Sequence, residues 1–173
     1  MIDIQKEIEK KFPNMNKKEN FLKKSLFKIA KKIVHEDSIN QFLTQNSHLK
    51  GFEFVDAVLD YFDFDYAVSS NDLQNIPTSG KVVIIANHPL GGLDALCLLR
   101  LIGQIRKDVK IIANDFLAGF EALNSLIITI DNYKLKQSKS DIKKIYDALK
   151  NEEAVIIFPA GEVSRATAKG IKD

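Results

Sequence analysis

The sequence has no tryptophan, a single cysteine and only four prolines in 173 residues. A lone cysteine, Cys97, excludes an internal disulfide and fits a reducing compartment. It stands in the apolar run "LDALCLLRLIG", where a thiol serves as core filler. No apolar run approaches the roughly 20 residues needed to cross a bilayer. The opening "MIDIQKEIEKKF" is charged from its first residues, which is not how a secretory leader begins. Also missing are internal repeats, low-complexity tracts, Walker and G-x-G-x-x-G loops, a G-x-S-x-G nucleophile elbow and any grouping of metal ligands. The three histidines, His35, His48 and His88, stand in unrelated contexts. Neither a metal nor a bound cofactor is expected. Basic residues are not interleaved with aromatics in a groove-like patch, so nucleic acid is not an expected partner.

What is present is an ordinary globular composition, 45% hydrophobic and 28% charged, in a chain long enough to bury a core. The pattern predicts a helical segment over residues 1–60 and an α/β domain over 61–173. Within the first, Lys17–Val34 places Phe21, Leu22, Leu26, Ile29, Ile33 and Val34 at helical spacing, with lysines over most of the remaining surface. "GFEFVDAVLDYF" (51–62) predicts a second helix with Phe54, Val55, Val58, Leu59 and Phe62 on one stripe. "FDFDYAV" (62–68) alternates and reads as a strand, and "SSNDLQNIPTSG" reads as turn chemistry. Short, β-branched apolar runs at 81–87, 109–114, 125–131 and 154–159 read as strands buried on both faces. Helices are predicted between them at 93–105 and 138–151, the latter opening on a Ser138–Asp141 capping pair with Ile142, Ile145, Tyr146 and Leu149 as its stripe. Strands alternating with helices predict a mostly parallel central sheet flanked by helices, behind an N-terminal helical segment.

In such sheets ligands bind beyond the carboxyl ends of strands. Two ends are chemically unusual. "NHPLGGLD" follows the first run and offers Asn87, His88, Gly91, Gly92 and Asp94; "FPAGEVSR" follows the last and offers Gly161, Glu162, Ser164 and Arg165. An imidazole titrates near neutrality, and a carboxylate across the turn can hold one ring nitrogen while the other accepts a proton. The same residues also suit a plain structural role, with His88 hydrogen-bonded at a strand end and Asp94 as a favourable charge in the first turn of a helix. Without a serine elbow, a His–Asp pair would have to activate a substrate's own nucleophile.

"NHPLGGLD" and "IIFPAGEVSR" together resemble the glycerolipid acyltransferase superfamily, and most closely its haemolysin-like branch, which includes O-acyltransferases that complete ornithine- and glycine-type aminolipids. The resemblance covers residues 62–165. It implies that His88 deprotonates an acceptor hydroxyl, that Asp94 orients His88, and that the hydroxyl attacks an acyl thioester carried by acyl carrier protein or coenzyme A, without an acyl-enzyme. It also implies that Phe158, Pro159, Gly161, Glu162, Ser164 and Arg165 line the substrate pocket, with Asn87, Gly91 and Gly92 in the first motif. Three departures stand out. The spacer between His88 and Asp94 is one residue longer than usual; the second motif carries its carboxylate at Glu162 instead of at Ala160; and the intervening block has no arginine, only Lys134 and Lys136. The last of these disfavours a phosphomonoester acceptor and favours one whose head group is an amino acid or another non-phosphomonoester.

The resemblance implies further strands after the second motif. The expectation is thus a domain that continues past Asp173, with too little chain after Arg165 for a strand and its return. The basic helix fits an anionic membrane surface, with Lys23, Lys24, Lys28, Lys31, Lys32, Phe21 and Leu22 in contact. The expected location is cytoplasmic, peripheral to the inner face of the membrane. Two other readings remain open at this point: a non-catalytic lipid or acyl-carrier binding module on the same scaffold, and an acyl-thioester hydrolase.

Overall fold

The structure, a computed structural model, describes residues 36–113, 117, 119–130, 138–160, 165–167 and 170–172. The basic segment Lys17–Val34 and its proposed membrane contacts lie outside the described residues. The chain divides into two compact units, Met1–His48 and Leu49–Asp173. In the first, helix α1 spans Glu36–Gln45.

The second unit is built on a four-stranded, wholly parallel sheet. Its strands are β1 (Val82–Ile85), β2 (Val109–Ala113), β3 (Ile127–Thr129) and β4 (Ala154–Ile157), in the order β1-β4-β2-β3. Central β4 is buried on both faces, with Ala154, Val155 and Ile156 at 0% exposure. Helix α2 (Gly51–Tyr61) and helix α4 (Gly92–Ile105) pack against each other, and α4 packs on β2, whose Val109, Ile111 and Ala113 are buried. A Cβ at Gly103 of α4 would lie 2.3 Å from the Phe52 ring of α2, so a larger residue there would force the ring or the helix to shift. Helix α5 (Lys139–Lys150) covers the other face over β4 and β3, where Ala148, Ile145 and Leu149 meet Ile128, Val155 and Ile157. The expected cap is there: Ser138 Oγ accepts from Asp141 N–H at 3.1 Å and donates to Asp141 Oδ2 at 2.7 Å.

The end of the sheet opposite the strand-end motifs is held by Arg106, 4% exposed. Its guanidinium grips both oxygens of Asp108, at 2.7 and 2.8 Å, and donates to the carbonyls of Pro77 (3.2 Å) and Glu152 (2.8 Å). One side chain thus ties the approaches to β1, β2 and β4 together.

Several expectations need correction. "FDFDYAV" is not a strand. Phe62 caps α2, Asp63 takes φ +48°, and residues 64–69 form no regular element and pair with no strand among the described residues; Phe62 and Val68 are 50% and 38% exposed. Alternation alone does not make a strand where no neighbouring edge is offered. Part of the supposed turn is a short helix, α3 (Ser70–Gln74), because Ser69 Oγ accepts from Asp72 N–H at 3.1 Å. Strand β1 is half-buried on one face and exposed on the other. It lies at an edge among the described strands, with Val83 (42%) and Ile85 (69%) exposed, as are Ile142 (56%) and Tyr146 (69%) of the α5 stripe. Finally, a strand and its return do follow the second motif: β5 (Arg165–Thr167) pairs antiparallel with β6 (Gly170–Lys172) in a separate two-stranded sheet.

Candidate active site

The sheet order explains why the two motifs meet. Strands β1 and β4 are parallel neighbours, Ile85 pairs with Ile157, and the ladder runs one step further through Ala86 N–H to Ile157 O at 3.2 Å. Their carboxyl ends therefore open side by side. His88 leaves β1 there, and Phe158 leaves β4. The two rings stack with centroids 4.1 Å apart and planes 22° apart.

After His88 the chain must turn sharply into α4. Gly91 makes the turn at φ +73°, ψ −130°, a backbone state that L side chains strain to adopt, and serves as the N-cap of α4. Gly92 is the first helical residue and is exposed, with nothing within 4 Å of where its Cβ would stand. Asp94, two residues further along α4, points back across the turn. Its Oδ2 accepts from Leu90 N–H at 2.7 Å and lies 3.5 Å from His88 Nδ1. Both side chains are mostly buried, 18% exposed for His88 and 16% for Asp94.

At 3.5 Å the imidazole nitrogen and the carboxylate oxygen are in close contact without a hydrogen bond between them. His88 Nδ1 is buried without a hydrogen-bond partner among the described residues. Buried polar atoms are rarely left so, and Nδ1, at a strand end beside a carboxylate, is for that reason the candidate site's most notable atom. Apo sites often hold such contacts long and shorten them when substrate binds. Cys97, one turn beyond Asp94, is a poor nucleophile: burial, then the Asp94 carboxylate, pushes its thiol above the ordinary range.

The structure thus brings together His88, Asp94, Gly91 and Phe158. Asn87 and Pro159 are exposed at the ends of β1 and β4. Gly161, Glu162 and Ser164 lie outside the described residues, and Arg165 begins β5. The direct stack of Phe158 on His88 was not foreseen; its only signal in the sequence is an aromatic residue at the carboxyl end of the last buried strand. Elsewhere, a polar cleft of about 450 Å³ opens between α2, the irregular segment after it and α4, lined by Asp60, Asp63, Asp65, Tyr66, Arg100 and Gln104 among others. His88 does not line it, and Arg100 is already engaged by Asp56 (3.0 Å) and Asp60 (3.4 Å).

Comparison with known proteins adds to this picture. A family model described as "Acyltransferase" matches residues 7–173. A protein of Bacteroides thetaiotaomicron named lyso-glycine lipid O-acyltransferase is 32% identical over 174 aligned residues, covering 100% of this chain and 62% of that protein. A protein of the same name from Phocaeicola vulgatus is likewise 32% identical, covering 100% of this chain and 60% of its own length. The chain therefore spans about three-fifths of the length of these curated relatives. No solved structure matches significantly.

Proposed function

Because the chain belongs to the acyltransferase family, we propose that it is an O-acyltransferase that moves a fatty acyl group from a thioester to the hydroxyl of a lysolipid, with an aminolipid of the glycine type as acceptor. The observation that carries this is the pairing of His88 with Asp94 across a glycine turn at the carboxyl end of β1. The two relatives named for lyso-glycine lipid O-acylation support the acceptor class.

With Nδ1 facing Asp94, Nε2 is the nitrogen left for the acceptor. It takes the hydroxyl proton as the oxygen attacks the thioester carbonyl. The tetrahedral intermediate collapses with loss of the thiolate, which recovers the proton from the imidazolium, so the base ends as it began. The Asp94 carboxylate favours the imidazolium that forms in between. No protein nucleophile is needed, in keeping with a half-buried Cys97 thiol whose pKa is pushed up. The donor is acyl carrier protein or coenzyme A in thioester linkage.

The protein is further proposed to work at an anionic membrane surface on the cytoplasmic side, through the lysine-rich face of residues 17–34. No helix among the described residues is long and apolar enough to cross a membrane.

The reaction assay is product analysis with palmitoyl thioester, with and without a lyso-glycine lipid. Diacylated lipid is expected when acceptor is present, and little free palmitate when it is absent. Free palmitate at the same rate in both would instead identify a thioester hydrolase, and no turnover in either would favour a binding module.

A further inference from the structure

We propose that Phe158 is a positioning residue for His88: its ring fixes the plane of the imidazole and favours the imidazolium formed when His88 takes the acceptor proton. This rests on the reading of His88 as the base, and it differs from a role for Phe158 in lining the substrate pocket.

Asp94 alone does not hold the imidazole in this structure. The carboxylate oxygen nearest His88 already accepts from Leu90 N–H at 2.7 Å and stands 3.5 Å from Nδ1, which has no hydrogen bond. What does touch the ring over its face is Phe158, at 4.1 Å between centroids and 22° between planes. Aromatic pairs more often sit 4.5–7 Å apart, so the two rings are in full face contact. Stacking leaves the rim of the imidazole free, and the rim carries both nitrogens. The contact thus restrains the ring without occupying either proton site.

The placement of Phe158 is set by the strand before it. It follows directly on β4, the most deeply buried strand, whose Ile157 is paired with β1 and accepts a further hydrogen bond from Ala86. The backbone that presents Phe158 is thus tied to the backbone that presents His88. When His88 becomes an imidazolium, a cation lies against an aromatic face, which the ring quadrupole favours. That stabilisation exists only in the protonated state, so it lowers the barrier and leaves substrate binding alone.

The test uses Phe158→Leu, which keeps an apolar side chain but removes the aromatic face, beside Phe158→Tyr and Phe158→Trp, which keep it. Rates are measured with lyso-glycine lipid and palmitoyl thioester. The expected result is a roughly 5- to 30-fold loss of kcat for Phe158→Leu, an unchanged KM for both substrates, and recovery in the two aromatic variants. In a His88→Ala background, Phe158→Leu should cost nothing more, because its effect passes through His88. Circular dichroism and Tm confirm folding, and Phe158→Met replaces Phe158→Leu if that variant fails to fold. A raised KM with kcat unchanged, no change in either constant, or a loss that adds to that of His88→Ala would overturn the proposal. The base assignment fails separately, if His88→Ala itself retains the parent rate.

Discussion

The carboxylate of Asp94 lies closer to the backbone of Leu90 than to the imidazole of His88, 2.7 Å against 3.5 Å. It therefore has two duties, closing the turn into α4 and facing Nδ1. Asp94→Asn separates them. An amide oxygen still accepts from Leu90 N–H, so the turn should survive. The negative charge opposite the imidazole is lost, and acyl transfer should fall on the order of 10²–10⁴-fold. Rates paired with near-parent Tm values check this; parent-level transfer by Asp94→Asn would mean that the carboxylate is only a structural cap.

The two glycines of the first motif should behave differently. Gly91 sits at φ +73°, so Gly91→Ala strains the turn by about 1–3 kcal/mol and displaces the His88–Asp94 pair. Gly92 is helical with open space around its Cβ position, so Gly92→Ala should hold or raise stability by up to about 1 kcal/mol. Urea unfolding of the two variants side by side is the measurement, and equal loss in both would contradict the assigned backbone roles.

Membrane contact through residues 17–34 predicts liposome binding that requires anionic lipid and weakens as salt shortens the Debye length, about 10 Å at 0.1 M. Replacing Lys23, Lys24, Lys31 and Lys32 with glutamate should release the protein. Sedimentation with neutral and anionic vesicles reads this directly, and equal binding to both at every salt concentration would argue against the assignment.

Stability should respond to acid through Asp108. Its hydrogen bonds from Arg106 hold the carboxyl below the usual carboxylate range. A group with a lowered folded-state pKa contributes stability that is present above its unfolded pKa, about 3.9, and is lost as pH falls through the folded value. Asp108→Asn should therefore lower Tm at pH 7, and the gap from the parent should close below about pH 4. Arg106→Met should cost more, about 2–3 kcal/mol, since it also strips the Pro77 and Glu152 carbonyls of a buried donor. A Tm difference for Asp108→Asn that is constant from pH 7 to pH 3 would exclude the ion pair as its source.

Much of the α/β pattern was legible because it rests on local chemistry. The Ser138–Asp141 cap and the helix 92–105 follow from near-neighbour preferences, and β2 and β4 from short β-branched runs. The lateral order of strands was not legible. Periodicity cannot say that β1 lies at an edge, so Val83 and Ile85 read as buried when they are exposed. Nor can it show that Phe62–Val68 finds no ladder partner. The site divides in the same way. His88 and Asp94 are six positions apart and could be paired by inspection, but the stack of Phe158 on His88 exists only because β4 is inserted next to β1.

The central claim is that His88 is the base for acyl transfer to a lysolipid hydroxyl. It is tested most directly by comparing the initial rate of the folded His88→Ala protein with that of the parent, using lyso-glycine lipid and palmitoyl thioester. The expected result is a fall on the order of 10²–10⁴-fold with little change in Tm. Transfer at the parent rate by a folded His88→Ala protein would contradict it.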